Sequence, residues 1–254
     1  MKTCLYIILA ILLIITPTSC GSRVAIDSDQ STVVSEVPIS PAPISKPTVT
    51  YRTIDNSIYD SSNRLLAINT YQCPVVDGSQ CGICKINRYY RDEVERYCTE
   101  ANKQYFSDSV TDVVDRFGVD AVLVSPLRET SEVSATMITD TIISFKREYH
   151  WAMGGVSTTI IDGQVFDLET GEQLTVDKFV ALPLAEFNAL IISKLMEKDN
   201  FNENELTETI NQFTFEDYSF YLDEDSLFIC FNGGLYSYNA YNAYVLELDT
   251  SILQ

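Results

Sequence analysis

Few side chains in this chain could carry a reaction, and their spacing narrows the options. His150 is the only histidine. One imidazole gives no metal site of the usual kind, and no triad can recruit a second. Its place beside Trp151, at the end of an alternating run, reads as packing or surface. The thiols say more. Cys73, Cys81, Cys84 and Cys98 fall within 26 residues. Outside the cytoplasm such a cluster implies disulfides more often than metal. Four thiols allow three pairings, and the spacing selects none. Cys81-Gly82-Ile83-Cys84 with two further thiols nearby also suits zinc, and a Cys-x-x-Cys turn suits redox exchange, though without the strand-helix setting of a thioredoxin. Disulfides are the expectation. Cys230 lies in the apolar run Ser226 to Phe231 and is expected to be a buried free thiol.

Asp and Glu together number 36. They could furnish a carboxylate pair for a cell-wall hydrolase, yet nothing singles out two of them. No phosphate loop, dinucleotide fingerprint or zinc helix motif is present. The polar stretch Asp199 to Glu205 has oxygen ligands but neither the spacing nor the central glycine of an EF-hand, and reads as a solvated loop. The expectation is a protein with no catalytic residue, no cofactor and no bound metal. Recognition is the better use of its side chains. Tyr236, Tyr238, Tyr241 and Tyr244 lie in one Gly/Asn/Ser/Tyr-rich stretch, and tyrosine gives large contact area at low entropic cost. The same rings could equally cover the core near a sheet edge.

These residues sit downstream of an export signal. Residues 1–19 hold Lys2 and an apolar run of 11 residues, Leu5 to Ile15. A bilayer needs roughly 20, so the run reads as a signal peptide. Thr18-Ser19-Cys20-Gly21-Ser22 resembles a bacterial lipobox, with Pro17 in place of the usual leucine. Cys20 is the expected lipidation site and would hold the chain at the outer face of the bacterial membrane. Residues 20–48 carry Pro38, Pro41, Pro43 and Pro47 and no aromatic side chain, the composition of a tether. Removing the signal removes Lys2 and leaves 16 basic against 36 acidic residues, a formal charge of −20. This disfavours nucleic acid and anionic lipid. It favours a cationic partner, or plain solubility.

The elements divide the remainder into residues 49–153 and 154–254, two α+β halves. Strands are expected at Thr48 to Ile54, Leu65 to Tyr71, Ala121 to Val124, Glu132 to Met137 and Thr141 to Tyr149, all antiparallel. A helix is expected over Ile86 to Phe106, with Tyr90, Val94, Tyr97, Cys98 and Ala101 on one face. It would bring Cys98 back to the Cys-x-x-Cys turn. Asp162-Gly163 between Thr158 to Ile161 and Val165 to Leu168 predicts a two-residue hairpin. Glu169-Thr170-Gly171 predicts a second turn, and Thr175 an N-cap for a short helix. Leu184 to Lys198 has a helical apolar stripe, and Glu205 to Phe213 suggests a further helix. Three closing strands are Tyr218 to Leu222, Leu227 to Phe231 and Tyr244 to Leu248. The fold class is α+β, antiparallel sheets packed against a few helices.

Gly154-Gly155, Phe166-Asp167-Leu168-Glu169-Thr170-Gly171 and Leu174-Thr175-Val176-Asp177-Lys178-Phe179 together resemble the extracellular domain shared by the anti-sigma factor RsiV and the peptidoglycan deacetylase PdaC. Ile86-Asn87 matches the junction that opens that family's long helix, and Phe231-Asn232 matches a pair near its end. Val156-Ser157 replaces the family's Ala-His, Val165 stands where Asn is common, and the prolines of the late loop are missing. The resemblance implies an RsiV ectodomain-like fold and recognition of a cationic cell-wall-active protein such as lysozyme. It does not carry over the deacetylase activity, which belongs to a separate domain. The competing expectation is a peptidoglycan-binding module.

Overall fold

Period-two alternation builds one large sheet. In β3 (Leu65–Asp77), Ala67, Asn69, Tyr71 and Cys73 are buried, while the residues between them are partly exposed. The strands β1 (Thr48–Asp55) and β2 (Ile58–Tyr59) pair with it on one side. Then come β4 (Leu127–Ile138), β5 (Ile142–Met153) and β6 (Val156–Asp167), giving the order β1-β3-β4-β5-β6. The computed structural model describes residues 45–153, 155–198, 202–232 and 243–249. All of them belong to one compact unit beginning at Pro43. The two expected halves meet inside one sheet, because β5 and β6 pair from Ile142↔Asp167 to Met153↔Val156.

Three helices fill the crossover between β3 and β4: α1 (Ile83–Tyr97), α2 (Glu100–Phe117) and α3 (Val119–Val124). That long connection lets β3 and β4 pair in parallel, where antiparallel strands were expected. The single expected helix is broken after Tyr97. Thr99 takes an extended conformation and its hydroxyl accepts from the Asn102 amide, which starts α2. The expected strand at Ala121 to Val124 is helical: Val122 is 2% exposed and Val124 88%, whereas a strand would place both on one face.

Under α1, Ile83, Ile86 and Tyr90 pack on Phe145, Ile143, Phe166 and Leu168. Edge-to-face rings bind this core, with Tyr90 5.1 Å from Phe145 and 5.9 Å from Phe166. Under α2 and α3, Phe106, Val110 and Val122 cover Leu66, Ala67 and Leu127. The opposite face of the sheet carries the C-terminal elements: α4 (Leu184–Lys198), α5 (Glu203–Ile210), and a second sheet of β7 (Ser219–Leu222), β8 (Ser226–Phe231) and β9 (Tyr244–Asp249). Phe187, Ile191, Leu195, Leu227 and Leu246 form that core. The architecture is thus mixed α+β.

The hairpin expected at Asp162-Gly163 is not formed. Both residues lie inside the unbroken strand β6, opposite Arg147 and Lys146. Glycine is required for a different reason. A Cβ on Gly163 would lie 2.0 Å from the Phe220 carbonyl carbon, because β7 crosses β6 there. The Gly163 amide donates to Ser219 Oγ at 2.9 Å. The second expected turn is present: Gly171 has φ +69° and its amide donates to the Asp167 carbonyl. After it the expected short helix is only a 3-10 turn, Val176–Lys178. Thr175 donates its hydroxyl to Asp177 instead of accepting a capping bond.

Replacing Gly163 with alanine should therefore force β7 away from β6. A loss of roughly 1–3 kcal/mol or more is expected in urea unfolding. A change within about 0.5 kcal/mol would show that the two strands do not press on each other.

Candidate functional site

Strand register assembles a polar row across one face of the large sheet. Tyr71 is opposite Ser131, Ser131 opposite Tyr149, and Tyr149 opposite Ile160. The next row toward the core holds Val133, Arg147 and Asp162. The row on the other side places Asn69 opposite Glu129. The last turn of α1 reaches over these rows, and Tyr97 stacks on Tyr71 with centroids 5.7 Å apart and planes at 16°. Between helix and sheet lies a cleft of about 250 Å³, lined by Tyr71, Tyr97, Ser131, Arg147, Tyr149, Ile160 and Asp162.

Glu129 ties the tyrosines together. Its Oε1 accepts from Tyr71 Oη at 2.6 Å and from Tyr149 Oη at 2.9 Å, and its Oε2 from Asn69 Nδ2 at 3.2 Å. Burial, reinforced by this carboxylate, pushes both phenols well above the ordinary tyrosine value. Arg147 is the second node. Its Nη1 donates to Glu93 of α1 and its Nη2 to Asp162 Oδ2 of β6 at 2.7 Å. Burial alone would disfavour the guanidinium charge, but Glu93 and Asp162 outweigh it and raise the pKa further. Asp162 Oδ1 accepts from Asn232 Nδ2 at 2.7 Å, and Asn232 also bonds the amide and carbonyl of Ile161 on the β6 edge. Two carboxylates thus flank one guanidinium, a formal local charge of −1. Arg147 Nε is buried and meets no acceptor among the described residues.

A larger cavity of about 560 Å³ lies where α2 and α3 approach the tip of β5 and β6, beside Phe117, Val122, Leu127, Met153 and Val156. Its lining carries no charged side chain. Ligand sites usually combine apolar walls with a few placed polar groups. The smaller cleft has charged and phenolic groups, whereas the larger cavity offers only the Ser125 and Ser157 side chains.

The residues singled out by sequence fall elsewhere. Cys73, Cys81, Cys84 and Cys98, the candidates for disulfides, are free thiols in this structure. Cys73 is buried beneath α1, Cys81 and Cys84 are exposed at its start, and Cys98 follows its end. Fourteen residues of helix separate Cys84 from Cys98 by about 21 Å, so Cys98 cannot staple the Cys-x-x-Cys turn. Asn56 Nδ2 meets Cys98 Sγ at 3.9 Å instead. Cys230 is buried, and burial pushes its thiol up to about 12. His150 Nδ1 pairs with Thr159 Oγ1 at 3.0 Å. Tyr244 begins β9 and packs against the C-terminal core. Cys20, Tyr236, Tyr238 and Tyr241 lie outside the described residues. Sequence reasoning missed Tyr71, Glu129, Arg147, Tyr149 and Asp162. Their signal was period-two polarity on a face that also carries Val133 and Phe145.

No protein-family model matches the chain, and no curated protein is similar to it. Two similar solved structures are members of the DUF3298 family. One, from Bacteroides fragilis NCTC 9343, is 12% identical with a TM-score of 0.49, covering 82% of this chain and 94% of that one. The other, from Pseudomonas aeruginosa PAO1, is 8% identical with a TM-score of 0.45, covering 84% and 95%.

Two outcomes follow from the charge network. Arg147→Met leaves Glu93 and Asp162 without their cation, and a loss of roughly 3–5 kcal/mol is expected from urea titration. A loss under about 1 kcal/mol would mean those carboxylates find other partners or water. The phenols give a pH signature. Tyr71 and Tyr149 hold their protons in the native state above about pH 10, where the unfolded chain releases them. Stability should be full below about pH 10 and fall by about 1.4 kcal/mol per unit for each such phenol as pH rises. The slope should be shallower in Tyr149→Phe, and an equal slope in both proteins would contradict the assignment.

Proposed function

We propose that the chain is a bacterial surface lipoprotein whose α+β domain binds a ligand outside the cell and has no reaction centre of its own. The observation that carries binding over catalysis is the engagement of every carboxylate around the cleft. Glu129 is held by two phenols and an amide, and Asp162 by Arg147 and Asn232. Glu93 faces the same guanidinium. A general acid or base must offer a proton or lone pair toward substrate, and these groups are committed to their neighbours. The signal peptide, Cys20 and the proline-containing tether support the surface location.

The partner in this reading is a cationic cell-wall-active protein such as lysozyme. Two features support it: the formal charge of −20 after signal removal, and the resemblance of the central segment to the RsiV-type domain. Opposite charge accelerates encounter and weakens with salt. Calorimetric titration of the mature chain with lysozyme should give heat at low salt and a weaker association at moderate salt. No heat at either salt overturns the cationic partner.

A further inference from the structure

We infer that Cys81 and Cys84 form a reversible thiol–disulfide couple, open at the surface to exchange with the disulfides of another molecule. This goes beyond the binding reading and does not depend on it, since neither cysteine lines the cleft.

Backbone geometry selects the pair from the alternatives that spacing leaves open. Gly82 has helical dihedrals, φ −75° and ψ −17°, and Ile83 opens α1. Two helical residues between the cysteines set their Cα atoms about 5 Å apart. That lies within the roughly 4.4–6.8 Å that a disulfide spans. Both cysteines are exposed, and Cys84 Sγ lies 3.6 Å from the Cys81 carbonyl oxygen, which turns it back toward its neighbour. The other thiols are remote. Asn56 Nδ2 meets both Cys98 Sγ at 3.9 Å and Asn69 Oδ1 at 3.4 Å, at the far end of α1. Cys73 stands four residues beyond Asn69 on β3, about 13 Å along the strand. It is also buried beneath the helix, on the side that Cys84 does not face.

The residues between the two cysteines are held by the fold, and the thiols are left outside it. The Gly82 amide donates to the Leu168 carbonyl at 2.9 Å, and a Cβ on Gly82 would lie 2.2 Å from the Gly171 nitrogen. Glycine is required there by the close approach of the turn that follows β6. Ile83 is 7% exposed and belongs to the core under α1. β3 ends at Asp77, shortly before Cys81, so the motif occupies a strand–turn–helix setting after all.

Bracing is a poor use of a bond in this place. It would close a very short loop, and the stabilisation given by a cross-link grows with loop length. An exposed disulfide is instead open to attack by an incoming thiolate. A structural zinc takes four ligands, and among the described residues no third Cys, His, Asp or Glu joins the pair in a metal-binding group. In the exchange, one cysteine thiolate attacks a sulfur of an external disulfide, forms a mixed S–S bond and expels the first external thiolate. The second cysteine thiolate attacks its neighbour's sulfur, closes the Cys81–Cys84 bond and expels the second. The chain loses two electrons and two protons, and the external disulfide takes them up and leaves as two thiols. Each event consumes the chain's own dithiol, so it modifies a binding domain and turns over no substrate.

The test equilibrates the mature chain with reduced and oxidised glutathione in varied ratio, quenches with acid, alkylates, and reads each cysteine by peptide mass spectrometry. A peptide with Cys81 and Cys84 linked, lighter by two hydrogens, should appear. Its fraction should rise from one tenth to nine tenths over an about 80-fold change in [GSSG]/[GSH]², as a two-electron couple requires. It should retrace that curve when reduced glutathione is restored. Cys84→Ser should lose the linked peptide and carry glutathione on Cys81, with the urea midpoint as its folding control; Cys81→Ser, carrying glutathione on Cys84, is the second variant. Thiols that persist in oxidised glutathione overturn the inference, as does a bridge from either cysteine to Cys73 or Cys98. A Cys81–Cys84 bond that reduced glutathione opens only after unfolding in urea overturns exchange as well. So does zinc retained through gel filtration with both thiols shielded from alkylation. The readout involves no binding partner, so a lysozyme titration of either sign leaves its outcome standing.

Discussion

Arg147 is the constraint on which the cleft depends. It stands on β5 and reaches sideways to Asp162 on β6 and upward to Glu93 on α1. Its side chain is 14% exposed, so the charge is largely removed from water. Burying an ion pair is a weak source of net stability, because desolvation offsets much of the attraction. Its effect is geometric. With both carboxylates committed to one planar guanidinium, the last turns of α1 stay over the sheet, and Tyr97 is delivered onto Tyr71. Asp162 passes the constraint on to Asn232, which grips the β6 edge through the Ile161 backbone.

Two apolar layers let that network exist. On the α1 side, Tyr90, Phe145 and Phe166 lock edge to face, and Tyr90 donates to Gln164 at 2.7 Å. On the other face, β7 lies close enough to β6 to demand glycine at 163. It is tied there by Ser144, which accepts from the Leu222 amide, and by Thr136, which donates to the Leu222 carbonyl. The irregularity in β4 between Ala135 and Met137 falls at Thr136, at the point of that contact. The sheet is thus held from both sides, and polar residues along its middle rows sit on a rigid platform.

Much of this was legible in the chain and some was not. Leu184 to Lys198 reads as a helix and is one to the residue, because its stripe of Phe187, Ile191 and Leu195 meets a core on one side only. The three closing strands are legible for the same reason. Asp162-Gly163 misleads because glycine serves two purposes, a turn or a close backbone approach, and only tertiary structure distinguishes them. Ala121 to Val124 misleads because a short apolar run has no period long enough to separate strand from helix. The cleft is the hardest part. Its residues come from β3, β4, β5, β6 and α1, and they meet through a parallel pairing that no local signal announces. Tyr71 and Arg147 are 76 residues apart, and each alone reads as one polar residue within a strand.

The proposed surface location and the cleft together give one picture: a tethered domain whose carboxylates at the cleft are engaged by their neighbours. Its central claim, that one guanidinium couples the helix to the sheet, is open to a double-mutant cycle. Glu93→Gln, Arg147→Met and the double variant would be unfolded in urea. A coupling of at least about 1 kcal/mol is expected, the double variant being less destabilised than the sum of the singles. Additivity within about 0.3–0.5 kcal/mol would contradict it.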